Sequence, residues 1–175
     1  AETELGALSV VVNNAGVEVT KLIIEMTEED YDRVLDTNTK GVFMVAQECA
    51  KRMIKHGRGG SIINIASMAA IRPLKGLSTY CISKAAVAHM TKVMALEWAR
   101  YGIRVNALAP GYVETEMNTE FFASEHGQKM VAGFPRRRLG KPQDLDGMLL
   151  LMASAAGDYM TGSVVLVDDG MSLSL

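Results

Sequence analysis

The stretch that decides the fold is GSIINIAS at residues 60–67, followed by a helical pattern over residues 79–101 and then by IRVNALAPG at residues 103–111. The first and third segments are nearly continuous in apolar residues, which is typical of strands covered on both faces. The segment between them ends at Gly102, a residue that suits the end of a helix. This succession predicts one unit of a parallel α/β sheet.

The same alternation extends along the chain in both directions. Apolar runs predict strands at residues 9–13, 61–66, 103–108 and 163–167, and helical patterns predict helices at residues 27–55, 79–101 and 142–155. Asn38 and Gly41 are weak helix formers in the middle of the first helix, and such a local conflict often marks a function or a kink. We expect residues 1–175 to form a single α/β domain.

Composition excludes several classes of function. The chain has 175 residues with 18 Lys and Arg against 20 Asp and Glu, and a net charge of −2, so it lacks the basic footprint of a nucleic-acid or membrane-surface binder. Its 2 Cys and 3 His residues are scattered, and they predict neither a disulfide framework nor a metal site. No apolar run approaches the length of a membrane span, and the first residues lack a basic signal-peptide start. A reducing, cytoplasmic setting is therefore expected.

Tyr80 and Lys84 are the first candidates for chemistry, because residues four apart in a helix lie on one face. Tyrosine is a weak base near neutral pH, since its pKa is about 10, and a cation within about 4–6 Å lowers that pKa. The pair would then be tuned to exchange a proton with an alcohol or ketone oxygen. Taken alone, the same spacing is more often an aromatic residue and a surface lysine that share a helix face.

Further candidates lie where the predicted strands end. Ser67 follows the second strand, and its hydroxyl would hold the same substrate oxygen by a hydrogen bond. The small residues of NAG at 14–16 follow the first strand and would let a flat ligand approach the backbone, and Pro110 and Gly111 follow the third. Ordinary turns also contain such residues. The carboxyl ends of parallel strands nevertheless meet at one edge of the sheet, where ligands of open α/β sheets bind.

Together these segments resemble the short-chain dehydrogenase/reductase family, of the type that includes 3-oxoacyl reductases and many sugar and polyol dehydrogenases. The resemblance extends from about residue 5 to the C-terminus, with its motifs in the family's order and spacing. The matching motifs are NNAG at 13–16, DTNTKG at 36–41, GSIINIAS at 60–67, YCISK at 80–84, RVNALAPG at 104–111 and TG at 161–162.

The resemblance implies a Rossmann-like doubly wound parallel sheet and an NAD- or NADP-dependent oxidoreductase that interconverts a small-molecule secondary alcohol and a ketone. It implies that Tyr80 is the general acid/base, that Lys84 lowers the pKa of Tyr80 and binds the cofactor ribose, and that Ser67 polarises the substrate carbonyl. Asn38 would hold a water molecule that links Lys84 to solvent. The residues that the resemblance places around the cofactor are Asn13, Ala15, Gly16, Tyr80, Lys84, Pro110, Gly111, Val113 and Thr115.

The sequence departs from the family at the phosphate-binding loop. No G-x-x-x-G-x-G or G-x-G-x-x-G motif occurs in the 175 residues. By comparison with the family, we expect this chain to be the C-terminal catalytic portion of a longer protein, with about four strands and their helices but without the loop that cradles the cofactor phosphates. The alternative is a truncated, catalytically inactive relative that serves only in folding, oligomerisation or binding.

Two smaller departures concern a turn and the substrate. Family members usually carry glycine where this sequence has Asp169, which puts the local turn in doubt. Reductases that accept acyl-carrier protein tend to place a basic residue just before Gly102, where this sequence has Tyr101, although Arg58 falls where a second basic docking residue is expected. A small free alcohol or ketone is therefore favoured over a carrier-bound one.

The segment over residues 112–138 follows Gly111 and must pass over the nicotinamide end of the cleft. Its apolar residues recur at roughly helical spacing. Two interpretations stay open: a pair of short helices packed on the sheet, or a mobile lid that closes over the substrate and excludes water. The residues concerned are Met117, Phe121, Phe122, Met130 and Phe134.

In the family that this sequence resembles, the helices that carry Asn38 and Tyr80 pair with their copies in a second subunit. The second of these helices carries more apolar residues than one sheet face can cover, which predicts a homodimer or homotetramer. These residues are Val87, Met90, Val93, Met94 and Trp98.

Overall fold

Four parallel strands form one sheet in a computed structural model that describes residues 4, 6–115 and 118–174. The strands are β1 (Val10–Asn13), β2 (Gly60–Ile65), β3 (Ile103–Pro110) and β4 (Val164–Val167), and they lie side by side in chain order. Their bounds agree with the predicted ones to within a residue, except that β3 runs to Pro110. The predicted parallel α/β architecture is confirmed.

Helices connect the strands, as parallel pairing requires. They are α1 (Glu28–Leu35), α2 (Val42–His56), α3 (Ser78–Trp98), α4 (Thr119–Ala123), α5 (Glu125–Ala132), α6 (Asp146–Ala153) and α7 (Met171–Ser174). Short 3₁₀ turns occupy Ile23–Glu25, Met68–Ala70, Ala99–Tyr101, Pro142–Leu145 and Ala155–Gly157. None of the helices in the described part of the chain combines the length and the apolarity that a membrane crossing requires.

The first predicted helix is continuous but irregular. It begins at a capping box, in which the Thr27 hydroxyl accepts a hydrogen bond from the Asp30 amide and the Asp30 carboxylate accepts one from the Thr27 amide. Between α1 and α2 the backbone widens into a π-helix over Asp36–Gly41. This is where Asn38 and Gly41 weaken the helical pattern. The expected local irregularity is therefore confirmed, and π turns of this kind are frequent at functional sites.

Helices cover both faces of the sheet. Neighbouring strand residues point to opposite faces, so Ile62 of β2 packs with Met53 of α2 and Met94 of α3, while Ile63 packs with Met152 of α6. All five side chains are at most 4% exposed, and each such burial contributes about 1.5–3 kcal/mol. This three-layer arrangement accounts for the apolar runs of β2 and β3, whereas Val10 and Val12 of β1 are 37% and 43% exposed.

Glycines let the loops at the amino ends of β2 and β3 touch. Gly102 ends the helical segment with φ 69°, as its position predicted, and the Gly60 amide donates a hydrogen bond to the Gly102 carbonyl at 3.2 Å. A Cβ atom on Gly59 would lie 2.3 Å from that same carbonyl oxygen, so no other residue fits at position 59. The contact fixes the point at which the chain leaves the helical segment and enters β3.

Two short helices, α4 and α5, occupy Thr119–Ala123 and Glu125–Ala132, as one of the two open interpretations predicted. α4 and α5 bring Phe122 inward, and the Phe134 side chain after them is 2% exposed in a cluster with Met68 and Met171. Met117, which belonged to the predicted apolar set, lies outside the described residues. Closure of this segment over a substrate stays a prediction.

The apolar surface of α3 differs from the predicted one. Val87 and Met94 are not available to a second subunit, because they pack on the sheet and are 0% and 4% exposed. Ile82, Val93 and Leu96 are the apolar side chains that α3 leaves open, and Leu96 is 82% exposed. The predicted association therefore depends on fewer exposed apolar residues of α3 than the sequence indicated, and it stays a prediction.

Candidate active site

The carboxyl ends of the four strands meet at one edge of the sheet, and the predicted site residues gather there. Ser67 lies two residues beyond β2, and Gly111 lies directly beyond β3, where its amide donates a hydrogen bond to the Val167 carbonyl at 3.1 Å. The 3₁₀ turn at Met68–Ala70 leads the chain along this edge to α3, whose first turns carry Tyr80 and Lys84. The candidate groups on the strand ends and on α3 thus lie at the same edge of the sheet.

Ser67 and Tyr80 meet, and their side chains are hydrogen-bonded to each other. The Ser67 hydroxyl also accepts a hydrogen bond from the Ala69 amide at 3.1 Å, which fixes its orientation at the start of the 3₁₀ turn. Ser67 is 9% exposed. Two hydroxyls in this arrangement are placed to contact one oxygen of a substrate, as the sequence predicted.

The pKa of Tyr80 is raised, mainly because burial disfavours the phenolate, while the hydrogen bond with Ser67 acts weakly in the opposite direction. Contrary to the expectation from the Tyr80–Lys84 pair, the pKa of Tyr80 is not lowered overall, because the effect of burial is larger. The Lys84 ammonium lies 5.5 Å from the centre of the Tyr80 ring. Desolvation therefore outweighs the attraction between the phenolate and the ammonium.

Lys84 is buried at the floor of the site. Its ammonium donates a hydrogen bond to the Ile65 carbonyl at 2.8 Å, and the residue is 5% exposed. Burial lowers the pKa of Lys84 to about 8, because an uncharged carbonyl replaces only part of the lost hydration. An ammonium has three donors, so two remain for a ligand beside the bond to Ile65.

Asn38 fastens the segment after β1 to α3. Its Nδ2 donates hydrogen bonds to the Val17 carbonyl at 2.8 Å and to Ser83 Oγ at 3.0 Å, and its Oδ1 accepts one from the Val17 amide at 2.8 Å. Ser83 Oγ in turn donates to the Tyr80 carbonyl at 2.8 Å. Three of the four hydrogen-bonding positions of the Asn38 amide are thus engaged, two with Val17 and one with Ser83 in the helical turn that carries Tyr80. Only one lone pair of the side chain remains for the predicted water molecule.

Gly16 lies directly against Asn38 and Lys84. A Cβ atom at this position would sit 3.4 Å from Asn38 Oδ1 and 3.5 Å from Lys84 Nζ, so a larger side chain would stand over the ammonium. Ala15 and Gly16 are themselves exposed. A flat ligand can approach the backbone here and reach the ammonium, so these residues fit the nicotinamide cofactor that the resemblance implies.

The Asn13 side chain takes part in a buried hydrogen-bonded chain, and its contact with a cofactor stays a prediction. Its side chain is 7% exposed and its Nδ2 donates a hydrogen bond to Asn64 Oδ1 at 2.8 Å. Asn64 Nδ2 donates to Thr91 Oγ1 at 2.9 Å, and Thr91 Oγ1 donates to the Val87 carbonyl at 2.8 Å. The Asn13 side chain is therefore part of a buried polar chain that crosses from β1 through β2 to α3.

The residues predicted after β3 occupy a braced loop. Gly111 is required by close packing, since a Cβ atom would lie 2.8 Å from the Cα atom of Asp168. Val113 pairs with Gly140, whose carbonyl accepts a hydrogen bond from the Glu114 amide at 2.8 Å. Thr115 is exposed, and its amide donates to Asn118 Oδ1 at 2.9 Å. Pro110 ends β3 beside them. Their contacts with a cofactor stay a prediction.

Tyr112 follows Gly111 at the same edge of the sheet but was not among the predicted residues. Its ring stacks on Phe134, with centroids 5.6 Å apart, and meets Phe122 edge to face at 5.7 Å. The pKa of Tyr112 is raised mainly by burial. The sequence signal that could have identified Tyr112 is an aromatic residue directly after the Pro-Gly pair at the end of a strand.

In the described residues no group of three or more His, Cys, Asp or Glu side chains is placed to hold a metal ion. The arrangement at the strand ends offers instead two hydroxyls and a buried ammonium around an accessible stretch of backbone. Such a set can position a substrate oxygen and transfer a proton to it.

Comparison with known proteins identifies similar chains over nearly the whole length. A family model described as enoyl-(acyl carrier protein) reductase matches residues 1–172. The chain is 40% identical over 171 residues to 2-dehydro-3-deoxy-D-gluconate 5-dehydrogenase of Dickeya dadantii (strain 3937), covering 97% of this chain and 68% of that protein. It is 42% identical over 166 residues to a 3-oxoacyl-(acyl-carrier-protein) reductase of Thermotoga maritima, covering 95% of this chain and 67% of that protein.

Among solved structures, the chain is similar to a gluconate 5-dehydrogenase from Burkholderia cenocepacia J2315 in complex with NADP and tartrate. The TM-score is 0.94 at 36% sequence identity, and the match covers 99% of this chain and 68% of that one. The likeness thus includes both the sequence motifs and the arrangement of the elements that carry them.

Proposed function

Because this chain belongs to the short-chain dehydrogenase/reductase family, we propose that it interconverts a secondary alcohol and a ketone with NAD or NADP. The observation that carries the proposal is the hydrogen-bonded pair of Tyr80 and Ser67 beside the buried Lys84. These groups converge from a strand end and a helix start, where an α/β sheet binds its ligands.

Each of the three side chains has a distinct task in this mechanism. In reduction, the Tyr80 phenol donates its proton to the substrate carbonyl oxygen, while Ser67 donates a hydrogen bond to that same oxygen and increases the polarity of the carbonyl. The raised pKa of Tyr80 suits this direction, since it keeps the phenol protonated until the proton is needed. Lys84 provides the positive charge that stabilises the phenolate left behind, 5.5 Å from its ring centre.

The nicotinamide cofactor supplies or accepts the hydride when bound. We propose that Lys84 holds its ribose with the donors not used by Ile65, and that Ala15, Gly16 and the backbone of Asn13 line its path. Pro110, Gly111, Val113 and Thr115 would complete the nicotinamide side from the braced loop after β3. The one free lone pair of Asn38 Oδ1, or its backbone carbonyl in the π turn, would hold the water next to Lys84.

The extent of the whole protein and its substrate class are proposed from the family. The glycine-rich phosphate loop is absent from the 175 residues, and the relatives named above are longer than this chain. We propose that residues 1–175 act as one catalytic unit of a longer protein, on a small free alcohol or ketone. The hydrogen-bonded site favours this function over an inactive relative, because a purely structural role does not require Ser67, Tyr80 and Lys84 to meet.

The test uses the protein expressed from its complete coding sequence. Reduction of ketones and oxidation of polyols are followed through NADH and NADPH absorbance for the wild type and for Tyr80→Phe. We expect Tyr80→Phe to lower kcat by about 10²–10⁴-fold, with the cofactor Kd unchanged because only the proton donor is lost. An exposed tyrosine, Tyr159→Phe, is the matched control. Wild-type kcat in Tyr80→Phe would contradict the proposal.

A further inference from the structure

Asp169 occupies an unusual place in the turn after β4. Its backbone has φ 55°, a left-handed conformation that disfavours residues with a Cβ atom, and aspartate tolerates it better than most. Within the described residues only Arg137, at φ 50°, shares this feature among the non-glycine residues. Glycine would adopt this backbone without strain. The reason for an aspartate at this position therefore lies in the contacts of its side chain.

The side chain of Asp169 holds two arginines of the segment that follows α5. Arg136 Nη1 donates a hydrogen bond to Asp169 Oδ1 at 2.9 Å, and Arg138 Nε forms an ion pair with Asp169 Oδ2 at 2.8 Å. The Asp169 side chain is 18% exposed, whereas the Arg136 and Arg138 side chains are 66% and 37% exposed. Arg138 also donates from Nη1 to Asp144 Oδ2 at 2.8 Å, at the turn before α6. We define Asp169, Arg136 and Arg138 as the clamp.

The clamp fixes residues that line the site. Phe134 and Pro135 precede Arg136, and a Cβ atom on Gly170 would lie 3.6 Å from Pro135 Cγ, so the two turns pack closely. Phe134 is buried against Met68, the residue after Ser67, and its ring stacks on Tyr112. The position of the Tyr112 ring, just beyond the carboxyl end of β3, thus depends on where the clamp holds Phe134.

We infer that Asp169 is a positioning residue, whose carboxylate clamps Arg136 and Arg138 and thereby sets the Phe134–Tyr112 wall, in which the buried Phe134 ring supports the Tyr112 ring that the substrate contacts. The inference rests on the proposed function and deepens it, since it assigns a substrate-positioning task to a residue outside the site. The left-handed backbone of Asp169 is the conformation that aims its carboxylate at both guanidinium groups.

The test separates charge from backbone strain. Asp169→Gly removes both the carboxylate and the strain, and Asp169→Asn removes only the charge. Arg137→Gln is the matched control, because Arg137 lies in the same loop at a similar φ and the described residues show no ion pair for it. The kinetics are measured on the protein expressed from its complete coding sequence, with the cofactor saturating.

We expect both Asp169 variants to raise KM for the alcohol or ketone by about threefold to tenfold while kcat changes by less than about twofold. Arg137→Gln should leave both constants unchanged. A merely structural role would move kcat, KM and thermal stability together, or stability alone. An unchanged KM in either Asp169 variant would overturn the inference, and so would an effect of Asp169→Gly that Asp169→Asn does not share.

A second measurement does not depend on turnover. The ring protons of Tyr112 experience the ring current of the stacked Phe134, so their NMR shifts report the wall directly. We expect the shifts to move toward free-tyrosine values in Asp169→Gly and Asp169→Asn, but not in Arg137→Gln. Unchanged shifts would overturn the inference. Absence of turnover in the wild type would instead overturn the proposed function, and the NMR result would still decide whether the clamp exists.

Discussion

The Lys84 ammonium donates its hydrogen bond to the backbone carbonyl of Ile65, the last residue of β2, at 2.8 Å. An uncharged acceptor at the end of a strand gives the ammonium an exact position but little electrostatic compensation. Its pKa is accordingly lowered to about 8 by burial. The group that is expected to hold the cofactor ribose therefore titrates close to the physiological range.

This pKa predicts a dependence of stability on pH. The unfolded lysine keeps a pKa near 10.5, so between pH 8 and 10.5 the unfolded state binds more protons than the folded state, and the free energy of unfolding rises with pH. From pH 7.5 to 9.5 the rise should be about 2 kcal/mol larger in the wild type than in Lys84→Met. Urea unfolding at several pH values measures it.

Two features keep that experiment interpretable. Tyr80 and Tyr112 have raised pKa values, so above pH 10 they act in the opposite direction, and the pH range stops below that point. Lys92→Met, at an exposed position of the same helix, should retain the wild-type slope. Equal slopes in the wild type and Lys84→Met would show that Lys84 is not desolvated as described.

The buried polar chain from Asn13 through Asn64 to Thr91 predicts a large effect of a nearly isosteric change. Asn64→Val removes both side-chain hydrogen bonds and leaves the Asn13 amide unpaired in the core. We expect a loss of about 2–4 kcal/mol in the free energy of unfolding, since a buried unsatisfied group costs about 1–3 kcal/mol beyond the lost bond. Asn14→Val, at the exposed neighbour of Asn13, should cost less than about 0.5 kcal/mol. Comparable losses of unfolding free energy in Asn64→Val and Asn14→Val would contradict the stabilising role of this buried polar chain.

The segment over residues 112–115 and 118–138 is expected to gain order when the cofactor binds. Its helices α4 and α5 are short, and Phe121 is 47% exposed although Phe122 and Phe134 are buried. We expect hydrogen exchange of residues 118–133 to slow on addition of NAD or NADP to the complete protein, while α2 exchanges at the same rate in both states. Equal protection of α4 and α5 with and without cofactor would make the segment a fixed scaffold.

Association is expected through the open face of α3. Val93 and Leu96 lie three residues apart on one helix face and are 43% and 82% exposed, an apolar pair that a second copy would cover. Leu96→Lys should convert the predicted dimer or tetramer to smaller species at micromolar concentration, as measured by light scattering. Gln128→Lys, at an exposed position of α5, should leave the mass unchanged. A monomeric wild type would rule out this association.

Much of the fold could be predicted from local patterns. Continuous apolar runs indicate β2 and β3 because both faces of these strands are buried, and the weak helix formers Asn38 and Gly41 mark the π turn. The meeting of Ser67 with Tyr80 follows from where strands end in a parallel sheet. These signals are local in sequence or follow from one topological rule. They can therefore be found in one amino-acid sequence.

Other features depend on distances that no local pattern contains. Asn64 and Thr91 are 27 residues apart, and only the packing of α3 on β2 joins them. The direction of the Tyr80 pKa shift was mistaken for a similar reason, because helical spacing places the ammonium on the right face but does not reveal how far burial disfavours the phenolate. Asp169 showed itself in the sequence only as a departure, and its arginine partners came from a loop 33 residues away.

The strand order, β1 to β4 in chain order, has a consequence for how the protein is made. During synthesis each strand that emerges finds its neighbour already present, so pairing proceeds in one direction without waiting for a distant segment. Ser67 and Tyr80 both belong to the β2–α3 unit and can meet before β3 and β4 exist. The Asp169 clamp forms later than these contacts, because its carboxylate follows β4 in the sequence. We expect the proton-transfer groups to be assembled before the substrate-binding wall, which depends on Asp169.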